Sequence, residues 1–86
     1  MNNYEIVASL REHGYMSVGE MPMIGEIAFY LENLVVNTVI YLADEGVLHI
    51  WLDKEITASQ AFSLAMGMGD CDGYVREDGK FISLEW

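Results

Sequence analysis

From Leu34 to Asp53 two β-rich runs flank a turn-forming cluster, and this stretch constrains the fold more than any other. Val35, Val36, Thr38, Val39 and Ile40 are β-branched, stiff at χ1 and better suited to a pleated strand than to a helix. Ala43-Asp44-Glu45-Gly46-Val47 reads as a type I turn closed by a left-handed glycine, the three-residue hairpin loop. That loop pairs Ala43 with Val47, Leu42 with Leu48 and Ile40 with Ile50. In this register Leu34, Val36, Ile40, Leu42, Leu48, Ile50 and Leu52 make a core face. Asn37, Val39, Tyr41, His49, Trp51 and Asp53 make the opposite, amphipathic one, because side chains alternate along a strand.

The flanking segments supply helices and a second hairpin. Asn2 and Glu5 have capping-box spacing before a helix from Asn3 to His13, which Gly14 stops. Ile6, Val7 and Leu10 form its apolar face. After a loop over residues 15–21, Pro22 suits the first turn of a helix running to about Glu32. Its stripe is Ile24, Ile27, Ala28 and Leu31, at the spacing of a buried helix face. Ser17 and Glu20 offer an alternative, earlier start. Thr57 and Gln60 cap a third helix that ends at the glycines 67 and 69. Gly73 to Trp86 forms the second hairpin, turning at Asp78-Gly79 with Glu77 facing Lys80. The order α-α-β-β-α-β-β predicts one α+β domain over residues 1–86, an antiparallel sheet with helices packed on one face. If residues 33–45 were helical instead, the chain would be three helices and a wing, a shape that usually binds DNA.

The charge opposes that use. Fourteen acidic residues stand against four Lys and Arg, a net charge of −10. Four cations cannot neutralise a run of phosphates, so direct nucleic-acid binding is excluded, and an anionic membrane surface with it. A single cysteine forms no internal disulfide. At 52% apolar residues the chain is no disordered acidic tail. An acid stands near the N-terminus where a secretory leader carries Lys or Arg, and Leu34 to Ala43 is too short to span a bilayer. The expected compartment is therefore the cytoplasm.

No catalytic constellation emerges. Gly67-Met68-Gly69 follows a helix and runs into Asp70 and Asp72, which would repel a phosphate. Asp70-Cys71-Asp72-Gly73-Tyr74-Val75 overlaps a calcium loop, but Met68 and Gly79 occupy two of its ligand positions. Carboxylates on both sides of Cys71 disfavour its thiolate. His13 and His49 lack a second imidazole at zinc-ligand spacing. The expectation is a protein with no catalytic residue, metal or cofactor.

Two features point to a protein partner. Acid pairs mark the turns: Asp44 with Glu45, Asp53 with Glu55, Asp70 with Asp72, and Glu77 with Asp78. Turn chemistry accounts for the aspartates, yet turns end at sheet edges, so the pairs are expected to cluster. Tyr41, His49 and Trp51, beside Val39 on the non-core face, are of the types that make binding hot spots. Together they suggest a non-catalytic inhibitor module whose acidic surface blocks a basic site on a nucleic-acid-binding protein or nuclease. In size and charge, though in no motif, the chain resembles the small inhibitors that phages and mobile elements direct against restriction or CRISPR nucleases. That resemblance implies a DNA or RNA mimic of the anti-CRISPR or anti-restriction kind. The alternative is a structural or accessory homo-oligomer, a homodimer at its simplest, joined through the Val39/Tyr41/Trp51 face.

Overall fold

A computed structural model describes all of residues 1–86. Its elements are α1 (Asn3–Glu12), α2 (Ile24–Leu31), β1 (Val36–Leu42), β2 (Val47–Leu52), α3 (Ala58–Gly67), β3 (Asp72–Val75) and β4 (Phe81–Glu85). The order is the expected one, and the fold is mixed α+β. Both capping boxes form. The Asn2 side chain accepts from the Glu5 N–H at 2.9 Å while the Glu5 carboxylate accepts from the Asn2 N–H, and Thr57 and Gln60 do the same at α3. Each box satisfies two N–H groups that a helix start otherwise leaves open.

The start of α2 differs from both expectations. The helix begins at Ile24 with Met23 as its N-cap, so Pro22 lies ahead of the first turn. The Pro22 carbonyl accepts the Tyr15 hydroxyl at 2.6 Å. Ser17 Oγ donates to the Met21 carbonyl at 2.8 Å and caps no helix.

The four strands form one antiparallel sheet in the order β1-β2-β4-β3. The second hairpin keeps its expected register, with Val75 opposite Ile82 and Gly73 opposite Leu84. The first does not. Leu42 pairs with Val47, Tyr41 with Leu48 and Val39 with Ile50. Its loop therefore holds four residues, Ala43 to Gly46, and the Glu45 and Gly46 N–H groups both donate to the Leu42 carbonyl, at 3.1 and 2.9 Å. A slip of one residue turns every β1 side chain over. Val39 and Tyr41 enter the core, while Ile40 and Leu42 pass to the other face. A bulge between Val36 and Thr38 returns Val36 to the core side.

All three helices cover the same face of the sheet. Ile6 and Leu10 of α1, Ile27 and Leu31 of α2, and Leu64 of α3 with its C-cap Met68 join one core with Val39, Leu48, Ile50, Ile82 and Leu84. No polar or charged residue is buried in it. The outer edge of β1 lies under α1, where Ser9 Oγ donates to the Val39 carbonyl at 2.8 Å and the terminal amino group donates to the Val36 carbonyl. No helix is long and apolar enough to cross a membrane.

Candidate functional site: the open face of the sheet

The face turned away from the helices has no second layer. β1 contributes Thr38, Ile40 and Leu42 to it, β2 contributes His49 and Trp51, β4 contributes Phe81 and Ser83, and β3 contributes Tyr74. Strand order decides who meets whom: Trp51 is paired with Thr38 on one side and Phe81 on the other. The result is a half-exposed aromatic cluster. The rings of His49 and Trp51 lie 5.8 Å apart, those of His49 and Phe81 5.2 Å, and those of Trp51 and Phe81 5.1 Å. Such edge and tilted contacts hold flat side chains in fixed orientations.

Arg76 lies over this cluster, its guanidinium 5.5 Å from the centre of the Phe81 ring. It donates through Nε and a terminal nitrogen to the Asp78 carboxylate, at 3.0 and 2.8 Å. These bonds raise Arg76 and, together with the Lys80 N–H, hold the Asp78 carboxyl below its ordinary range. Beside Trp51 a shallow depression is lined by Thr38, Ile40, Asp53, Arg76 and Lys80. Its lining mixes apolar side chains with one carboxylate and two cations.

The acid pairs do not gather at one place. Val47, Glu85 and Asp72 stand in line across β2, β4 and β3. The Asp44–Glu45 turn and the Asp70–Asp72 segment therefore lie at the same end of the sheet. Asp53, Glu55, Glu77 and Asp78 lie at the other end, where the Ile56 N–H donates to the Gly79 carbonyl. The pairs frame the open face from two sides. All fourteen carboxylates are exposed, and Arg76–Asp78 is the one ion pair. The Asp53 carboxylate instead accepts from Asn37 Nδ2 at 3.1 Å.

Tyr41 does not belong to this surface. It is 6% exposed on the helix side, its ring edge-on to Tyr15 at 4.8 Å. Burial pushes its hydroxyl up, and pushes Tyr15 up to about 12 with help from the charges of Tyr41 and Glu26. Val39 is 1% exposed, so Val39, Tyr41 and Trp51 are not one face. His49 and Trp51 are placed as expected, and Ile40, Leu42 and Phe81 complete the surface. The position of Phe81 follows from β4 lying beside β2, which no local pattern encodes.

Cys71 is half-buried, its Sγ donating to the Ala65 carbonyl at 3.4 Å. Burial pushes the thiol up, and Asp72 and Asp70 push it further, so the thiolate is disfavoured. No three His, Cys, Asp or Glu side chains converge into a metal-holding group. No family model, curated protein or solved structure matches the chain.

Proposed function

We propose that the chain is a non-catalytic protein-binding module that presents the open sheet face, within its acidic frame, to a basic surface of a larger protein. The observation that carries this reading is the uncovered cluster of His49, Trp51 and Phe81 on a sheet whose other face packs under three helices. Contiguous aromatic surface beside polar groups is where association energy concentrates. The charge selects the partner. Carboxylates almost unrelieved by cations give the body a field that draws in basic surfaces over roughly 8 Å at physiological salt. Where such a surface normally holds DNA or RNA, the module competes for it as a mimic. A nuclease of a restriction or CRISPR system is the partner we favour on size and charge.

The test offers a panel of purified basic nucleic-acid-binding proteins and nucleases to the immobilised chain. At least one should be retained, released by a threefold rise in salt or by excess duplex DNA, and bound at least tenfold more weakly by Trp51→Ala. Retention unchanged by salt and by Trp51→Ala overturns the reading.

One observation favours a second reading, a homodimer. The cations of the open face, Arg76 and Lys80, stand among acids at one end, and Asp44 and Glu45 stand without a cation at the other. Two copies packed face to face about a two-fold axis would oppose these charges. Sedimentation of the pure chain decides: a dimer that Trp51→Ala dissociates supports self-association, and a monomer at all concentrations removes it.

A further inference from the structure

The two edges of the sheet are treated differently. α1 covers the edge of β1 and takes its Val39 carbonyl. β3 is the other edge. There the Arg76 N–H donates to the Phe81 carbonyl at 2.9 Å. Alternation along an antiparallel pair then bonds Tyr74 and Asp72 to β4, and points the N–H and C=O groups of Gly73 and Val75 off the free edge. No turn or loop hydrogen bond uses these groups. An edge of this kind is a template for another strand.

Beside the edge runs a groove of about 420 Å³ between α3 and β3. Ala58, Phe62 and Met66 form its helix wall, and Gly73 and Val75 its strand wall. Phe62 and Met66 are 68% and 67% exposed. The walls are fixed in place by a close approach: a Cβ on Gly73 would come within 2.9 Å of the Ala65 Cβ. Asp70 and Asp72 also border it, both exposed and unpaired with any cation.

We infer that the α3–β3 edge is a strand-addition site for an extended segment of another protein in which apolar and basic residues alternate. The occupant's pattern follows from the alternation of β3 itself. Gly73 and Val75 face the helix side and the groove, so added residues on that side are apolar. Asp72 and Tyr74 face the open side, with Arg76 beyond them already engaged by Asp78, so an added residue there is cationic where it meets the Asp72 carboxylate. A second copy of this chain fits poorly, because its own β3 offers no large apolar side chain to the groove, only Gly73 and Val75, and two bodies of charge −10 repel. This site uses different elements from the aromatic cluster and stands or falls separately.

The probe is a fluorescein-labelled nine-residue peptide of alternating Val and Lys, with Val/Glu and Ser/Lys peptides of the same length as controls. The Val/Lys peptide should bind at least tenfold more tightly than either control. Binding should fall at least tenfold in Val75→Pro, which removes an outward N–H and no bond to β4, and in the doubly substituted Phe62→Ser/Met66→Ser. Trp51→Ala should leave it within twofold. Amide exchange adds a readout without mutation: Gly73 and Val75 should exchange fast in the free chain and slow down with peptide bound. Equal binding of the Ser/Lys peptide would reduce the site to bare charge attraction and overturn the inference. Full binding by Val75→Pro would do the same. So would protection of Gly73 and Val75 in the free chain that is lost on dilution, which would make the occupant a second copy. Should Val75→Pro not fold, the double serine variant and the exchange pattern decide.

Discussion

Ile50 and Trp51 are neighbours in β2, and each represents one face of the sheet. On the inner face Val39, Ile50 and Ile82 are no more than 1% exposed, under three helices. On the outer face Ile40, His49, Trp51 and Phe81 stay half-exposed under none. The composition differs with the task. Aliphatic side chains fill the layer that must exclude water, and aromatic side chains with polar neighbours occupy the layer that keeps one side wet. The buried core lies on one face, and the other contributes little to it.

The sharpest way to break this comparison is to truncate both neighbours. Ile50→Ala should cost roughly 2–5 kcal/mol, a large share of the stability of a domain this size. Trp51→Ala should cost less than half as much in the same urea titration. Equal losses would show that the monomer covers Trp51. A second pair tests the register of the first hairpin. Val39→Ser empties a sealed site and buries a hydroxyl, at roughly 2–4 kcal/mol, whereas Ile40→Ser should cost about 1 kcal/mol or less. The reverse order would restore the three-residue loop.

Alkaline pH acts on the inner face through two buried tyrosines. Tyr15 is pushed up to about 12 and Tyr41 is also raised, both chiefly by burial. Between about pH 10 and 12 the native state keeps protons that the unfolded chain has released. Stability should therefore fall as pH rises through this window, with no contribution from these groups below it. Melting temperatures from pH 9 to 12 should show the fall, and Tyr41→Phe should soften it. The smallest effect belongs to the outer face. Arg76→Gln should leave the melting temperature within error while the Asp78 carboxyl titrates closer to its ordinary range, as followed by side-chain NMR.

What the amino-acid sequence conveyed is what short-range bonds decide. Both capping boxes, the ends of α1 and α3, and the register of the Asp78-Gly79 hairpin rest on contacts a few residues apart. Gly79 adopts φ 71°, the left-handed conformation such a turn demands. The first hairpin misleads because β1 is apolar on both alternations. Val39 and Tyr41 lie on one side, Ile40 and Leu42 on the other, and Gly46 closes a three- or a four-residue loop equally well. The contact of Tyr41 with Tyr15, 26 positions away in the chain, settles nothing that a local pattern could show. The same holds for the site. His49 and Trp51 were legible because β2 alternates cleanly, whereas Phe81 joins them only through the strand order, and the acid pairs divide between two ends for the same reason.

The two tryptophans allow the central claim to be read in one experiment. Trp86 donates its indole N–H to the Met68 carbonyl at 3.0 Å on the helix side, while Trp51 lies on the open face. Their indole N–H signals are recorded with a soluble gadolinium chelate, for the free chain and for its complex with a basic protein retained in the binding panel. Trp51 should be strongly broadened in the free chain and shielded in the complex, with Trp86 little changed between them. Trp51 shielded as well as Trp86 in the free monomer, or equally broadened with and without the bound protein, would contradict the central claim.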